Sequence, residues 1–270
     1  MPPYDIHLAR PRVADKRGVP PKTQANSAVG GNASALAAPR VVRDDHGSNP
    51  AIPDYLEKTY TWAYLRPTSI RLLDRPLVVS AILWGNYRRL LRTVLDELRP
   101  GHRVYQPACV YGDFSTEVAK TLGPSGQLDV SDIVPLQVEN CRRKLNGTAN
   151  ADVQLWDARE RRPESYDVVC CFFLLHEMPA HSRRRTVDAL MAAVRPGGKI
   201  VFVDYHKPHW AHPLGAVMSA VFHTLEPFAK DLWFEEICSC GGRSDEFTWS
   251  KQTFVGGMYQ KVVAERRLPA

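Results

Sequence analysis

Apolar residues begin to repeat with a structural period only after about residue 50. Residues 1–50 are rich in Pro, Gly, Ala and Asn and show no sustained hydrophobic pattern, so they cannot bury enough surface to offset chain entropy. A disordered extension is expected there, and its mixture of acids and arginines fits a tail better than a targeting peptide. Order is expected to start near Ile52, followed by an aromatic cluster of Tyr60, Trp62, Tyr64 and Leu65. Residues 76–98 then carry Leu77, Val78, Ile82, Leu83, Leu90, Leu91, Val94, Leu95 and Leu98, a broad stripe that predicts one amphipathic helix. That helix either packs into the core or forms a lid whose Arg88, Arg89 and Arg92 meet lipid headgroups.

From Arg103 the pattern alternates short apolar runs with helical periods, which predicts a doubly wound, mostly parallel sheet. Strands are expected at residues 104–106, 126–131, 153–155, 166–174 and 199–205. Helices are expected to begin at Phe114 and to span residues 135–145 and 181–194. The run at 166–174 is almost wholly apolar, as a strand buried on both faces requires. A further apolar helix is expected at 214–228, and two strands at 247–254 and 258–265 suit a closing antiparallel hairpin around Gly256 and Gly257. The resulting division is a tail at 1–50, a helical cap at 51–100 and an α/β domain at 101–270.

Composition narrows the function classes without naming one. The formal net charge of +6 suits an anionic membrane surface or a phosphate-bearing partner, and no feature calls for nucleic acid. No apolar run is long enough to span a bilayer. The six cysteines lack secreted-domain spacing, and Cys170-Cys171 lies in the buried strand, which fits a reducing compartment. Cys238 and Cys240 have no partner pair at zinc-like spacing.

The chemistry concentrates at the ends of the predicted strands, where open α/β sheets hold ligands. Val104-Tyr105-Gln106-Pro107-Ala108-Cys109-Val110-Tyr111-Gly112 stands where a nucleotide-binding turn would have an acid and three glycines. Only Gly112 is retained; Gln106 replaces the acid, and Ala108 and Val110 replace two glycines. Asp132, with Ile133 after it, ends the second strand, either gripping ribose hydroxyls or capping the next helix. Asp157 and Ala158 follow the third strand, and Trp156 either walls the adenine or packs in the core. His176 and Glu177 follow the central strand, and Asp204 and His206 the next one. These four offer either general acid–base groups or an oxygen and imidazole set suited to manganese. Asp167, inside a strand, is expected to be structural.

These segments carry a resemblance. The sheet order, with Tyr166-Asp167-Val168-Val169, Leu174-Leu175-His176-Glu177-Met178 and Arg195-Pro196-Gly197-Gly198-Lys199, is similar to the class I S-adenosylmethionine-dependent methyltransferase fold and its quinone-ring methyltransferases. The altered turn, with Asp54-Tyr55-Leu56-Glu57-Lys58 and Tyr60, Trp62, Ala63 and Tyr64 upstream, resembles the RquA-type rhodoquinone biosynthesis proteins over roughly residues 50–267. That resemblance implies replacement of the C2 methoxy group of ubiquinone by an amine from S-adenosylmethionine, assisted by Mn2+. It implies a peripheral location on the inner face of a bacterial membrane, or on the matrix side of the mitochondrial inner membrane.

The implied cofactor contacts are Gln106, Ala108, Val110, Tyr111, Gly112, Asp132, Ile133, Asp157 and Ala158. The implied catalytic residues are Gln106, Tyr111 and His176, with His176, Glu177, Asp204 and His206 as metal ligands. Tyr111 either orients the amine or a quinone oxygen, or simply packs. Two other readings stand beside amination: methylation of a quinone or lipid-like ring, and a silent fold that binds quinone as a scaffold.

Overall fold

A computed structural model describes residues 50–269, and the expected tail at 1–50 lies, Pro50 apart, outside the described residues. Four short helices come first: α1 (Asp54–Tyr64), α2 (Pro67–Leu73), α3 (Pro76–Ile82) and α4 (Tyr87–Leu95). The alternating part follows as β1 (Arg103–Gln106), α5 (Phe114–Leu122), β2 (Gln127–Asp132), α6 (Pro135–Lys144), β3 (Ala151–Leu155), β4 (Tyr166–Phe172), α7 (Ala180–Ala193) and β5 (Val194–Tyr205). The chain closes with α8 (Gly215–Thr224), β6 (Phe247–Phe254) and β7 (Tyr259–Arg266).

The seven strands lie in the order β3-β2-β1-β4-β5-β7-β6. The first five are parallel, and β7 runs antiparallel to both β5 and β6. The expected seven-stranded sheet with a reversed last strand is therefore present. Its centre follows from the composition of β4, where side chains alternate between two cores. Val168, Cys170 and Phe172 join one with Leu90, Phe114 and Val203, while Val169 and Cys171 join the other with Tyr105, Leu190 and Phe202. Cys170 and Cys171 are free, buried thiols, as the apolar run implies. Asp167 accepts the backbone N–H of Arg103 and pairs with Arg195, a structural tie at the far end of the strands.

One helix of the sequence reading divides in two. Residues 76–98 break after α3 because Trp84 and Gly85 take left-handed backbone, at φ 51° and 78°. Gly85 reaches that region without steric cost, and its N–H closes on the Ser80 carbonyl at 2.7 Å. The exposed arginines consequently sit on α4, where Arg88 pairs with Asp113 and Arg89 lies over the Phe254 ring. Similarly, the helix expected at 214–228 ends at Thr224, because Pro227 disfavours helical backbone in the residue before it.

The loops behind the strand ends are fixed by one buried cation. Arg183 of α7 is fully enclosed; it donates to the carbonyls of Leu175, Met178 and Phe228 and pairs with Asp231 and Glu235. Removing the guanidinium would leave Glu235 with Arg184 alone and take the buried donor from several carbonyls. We expect Arg183→Met to lower unfolding free energy by about 3–5 kcal/mol in urea titration. A loss under about 1 kcal/mol would show that the network is dispensable.

Candidate functional site

A cavity of about 400 Å³ opens at the carboxyl ends of β1, β2 and β4, within the range of small-molecule sites. Ala108, Val110, Tyr111, Asp132, Ile133, Asp157, Ala158, His176 and Glu177 all line it, so most of the expected site is brought together. α3 and α8 frame it, through Val79, Ile82 and Leu83 on one side and Met218, Val221 and Phe222 on the other.

The altered turn is held by partners that glycine-rich turns do not require. Lys144 donates to the carbonyls of Val110 and Gly112, and Asp74 accepts the Gly112 N–H at 2.8 Å. Lys144 and Asp74 also pair with each other at 2.9 Å. Asp132 accepts the N–H groups of Cys109 and Val134, each at 2.9 Å, and so serves the turn and the start of α6 together. Burial raises the Asp132 carboxyl to about 6 against those hydrogen bonds, and its remaining lone pairs stay free for a ligand hydroxyl. Gly112 is held at φ 80°, and a Cβ there would lie 3.0 Å from the Tyr87 hydroxyl, so glycine is required although Gly112 is off the cavity wall.

Three expected residues stand differently. Gln106 is buried beneath the turn, donating to the Ala108 carbonyl and the Ser115 hydroxyl, and is not on the cavity wall. Trp156 is off the wall as well, with the Arg162 guanidinium over its ring; Tyr55 of α1 lines the cavity instead. His206 turns its Nδ1 to the Gly257 carbonyl at 2.9 Å. Asp157 does line the cavity, with its carboxylate forked to Arg159. Tyr111 is pinned from both sides, donating to the Ala63 carbonyl and accepting from Gln137.

His176 lies in a nest of acids. Its Nδ1 is 2.9 Å from Asp204, too bent for a good hydrogen bond, and its Nε2 is 3.9 Å from both Glu177 and Glu226. Asp204 is itself spent on the backbone N–H groups of Leu175, His176 and Tyr205. Asp204 is so engaged, and neither it nor His206 lies on the cavity wall with His176 and Glu177, so the expected metal set does not converge. Among the described residues no group of three or more His, Cys, Asp or Glu is arranged to hold a metal ion. The manganese implied by the resemblance therefore does not fit these four residues.

Burial works against a charged His176, but Asp204, Glu226 and Glu177 outweigh it and push the imidazole up to about 9. Burial drives Glu177 the other way from its usual acidity, up to about 8, despite the neighbouring His176 and a hydrogen bond donated by Tyr64. Burial also raises Glu226, whose carboxylate accepts from the Tyr60 hydroxyl at 2.7 Å. The sequence reading passed over Glu226, Asp74 and Lys144, and placed Tyr60 and Tyr64 in an aromatic cluster without giving them a part in the site. The signal for Glu226 was present, since it is the sole Asp, Glu, Lys or Arg within the apolar residues 214–228.

Comparison with known proteins finds methyltransferases. Residues 104–198 match the family model for a methyltransferase domain. The ubiquinone/menaquinone biosynthesis C-methyltransferase UbiE of Cupriavidus taiwanensis is 33% identical over 136 residues, 48% of this chain and 55% of that protein. The UbiE of Pseudomonas fluorescens is 28% identical over 54% of this chain and 58% of its own length. The chain thus spans little more than half of these curated relatives.

Among solved structures, an O-methyltransferase family protein from Burkholderia thailandensis superposes with a TM-score of 0.59 at 15% identity, covering 76% of this chain and 62% of its own. A SAM-dependent methyltransferase from Aquifex aeolicus gives 0.50 at 18% identity, covering 74% and 97%. The fold is that of the class I methyltransferases.

His176, Glu177 and Asp132 all hold protons more tightly here than in an unfolded chain, so stability falls as pH rises. The His176 contribution is complete below its ordinary 6.5 and is lost as pH rises through about 9. That of Glu177 is complete below 4.5 and is lost through about 8. Urea unfolding between about pH 5 and 9 should show a steady decline, and Glu177→Gln should flatten its lower part. A rise in stability across that window would contradict the protonation assigned to the cluster.

Proposed function

We propose that the chain is an S-adenosylmethionine-dependent transferase acting on a long-tailed quinone. One observation carries the reading: a single continuous cavity joins the adenosine-type acids, Asp132 and Asp157, to the apolar walls of α3 and α8 and to the acid cluster around His176. The curated relatives, named for ubiquinone and menaquinone biosynthesis, support a quinone ring as the acceptor. Trp62, Ile82, Trp84 and Leu225 line the cavity while remaining between 42% and 49% exposed, a rim suited to a lipid surface. The inner face of a bacterial membrane, or the matrix side of the mitochondrial inner membrane, would supply one. Among the described residues no helix is long and apolar enough to cross a membrane.

When bound, S-adenosylmethionine would present either its methyl or its amine to the ring. The relatives' names favour methyl transfer to carbon. The turn favours the amine, and amination of ubiquinone to rhodoquinone is our reading for this chain. An acid at the end of β1 would hold the cofactor's ammonium charged, whereas Gln106 is neutral and spends its N–H groups on Ala108 and Ser115. Since a free α-amino group titrates near pH 8, loss of that bias leaves an appreciable fraction neutral and nucleophilic. Tyr111, fixed between Ala63 and Gln137, gives the cavity a rigid wall beside the turn.

Purified protein given either a ubiquinone analogue or a quinone that keeps a ring C–H, with cofactor labelled at the α-nitrogen or at the methyl, decides between the reactions. Nitrogen label in a product that has lost its methoxy group is the expected result. Methyl label in the product would replace amination by methylation, and bound cofactor with neither label transferred would leave a silent binding fold.

The rim makes a separate prediction. Trp62→Ser with Trp84→Ser should raise KM for a long-tailed quinone about tenfold, the equivalent of roughly 1.4 kcal/mol of lost burial, and spare a short-tailed analogue. Equal effects on both substrates would mean that the rim does not hold the tail.

A further inference from the structure

Glu226 comes from the segment after α8 and Glu177 from the 3₁₀ turn after β4, yet their carboxylates flank the same imidazole. His176 Nε2 is 3.9 Å from each. Each acid also accepts from a tyrosine on α1, Glu226 from Tyr60 and Glu177 from Tyr64, two residues one helical turn apart. His176, Glu177, Glu226 and Tyr64 all line the cavity. This is a built constellation, with two acids related through one imidazole and opening on the space where an acceptor would sit.

We propose that Glu226 is the proton acceptor of this cavity, sharing protons with Glu177 through His176, and that it takes the proton an acceptor loses when the transferred group attaches. The proposal rests on the reading of the cavity as a group-transfer site. It does not depend on which group moves. In ring methylation the S–CH3 bond breaks as a C–C bond forms, the thioether leaving with the electron pair; the ring C–H bond then breaks, its pair returns to the ring and the proton passes to a carboxylate oxygen. In amine addition a C–N bond forms to the ring and an N–H bond breaks, the pair staying on nitrogen and the proton passing to the same place, while the ring–methoxy bond breaks and methoxide takes that proton away as methanol. Neither step needs an oxidant or reductant.

The surroundings suit the role. Around the unit stand Asp204 and Tyr205 from β5, Tyr60 and Tyr64 from α1, Tyr111 from the turn and Asp132 from the end of β2. Acids outnumber the one imidazole, and Asp204 is tied to three backbone N–H groups. Two further carboxylates in one buried site resist joint ionisation, so the unit retains a proton that it can redistribute. General base groups of this kind typically contribute 10²–10⁴-fold to rate.

Glu226→Gln preserves an acceptor for the Tyr60 hydroxyl while removing the base. Cofactor affinity, read by calorimetry, should stay within about twofold, kcat should fall by roughly 10²–10⁴ with KM little changed, and Glu226→Asp should restore part of the loss. Wild-type turnover in Glu226→Gln, with cofactor affinity intact, would overturn the proposal. Infrared spectroscopy of the cofactor-bound protein tests the shared proton even without turnover. The protonated-carboxyl band should change in both Glu226→Gln and Glu177→Gln; a change in only one variant would show independent acids and also overturn it. Absence of product from the wild type would remove the group-transfer reading itself, a result distinct from either infrared outcome.

Discussion

Asp204 is 1% exposed, and its carboxylate is consumed by the backbone N–H groups of Leu175, His176 and Tyr205. A buried carboxylate is tolerable only when its lone pairs are filled, and this one is filled by the turn that carries His176 and Glu177. The clamp fixes that turn to the end of β5 and sets a negative charge behind the imidazole. The environment of His176 follows from it. An alanine at 204 would leave the turn's N–H groups unsatisfied and the imidazole without its nearest counter-charge, so local folding and site electrostatics share one cause.

A comparable constraint governs the opposite wall. A turn lacking two glycines cannot close on a ligand by backbone flexibility alone, and this one is braced from outside. Lys144 reaches the Val110 and Gly112 carbonyls, Asp74 holds the Gly112 N–H, and Asn140 donates to the same Asp74. Asp74 lies between α2 and α3, so the brace also ties the N-terminal helices to the sheet. The helices that roof the cavity and the turn that floors it are therefore positioned by one ion pair, and movement of either would displace the other.

The legible parts of the sequence were those whose physics is local. Strand β4 declares itself by an almost wholly apolar run, α5 begins at the expected Phe114 and β6 has the bounds that the pattern predicts. Asp132, Asp157, His176 and Glu177 were found because strand ends in this topology form a crevice. The break at Trp84 and Gly85 was missed because the apolar stripe continues across it, while the chain direction does not. Gln106 was assigned to the cavity from its place in the turn, but its rotamer is set by Ser115, nine residues on. Glu226 reaches Tyr60 across 166 residues, a pairing that no local pattern encodes. His206 lies off the cavity wall, its Nδ1 held at the Gly257 carbonyl 51 residues on, another pairing that no local pattern encodes.

The two unusual features of the site are joined physically. Tyr111, in the altered turn, stacks on Tyr64 with ring centroids 5.7 Å apart and planes 29° apart, and Tyr64 donates to Glu177. Glu177 in turn flanks His176, which faces Asp204. A small residue at position 111 would leave the Tyr64 ring without its stacking partner and loosen the donor that positions Glu177. The turn and the acid cluster therefore constrain each other through one aromatic pair. A glycine at position 111 would remove that pair, so the shape of the turn and the placement of Glu177 change together.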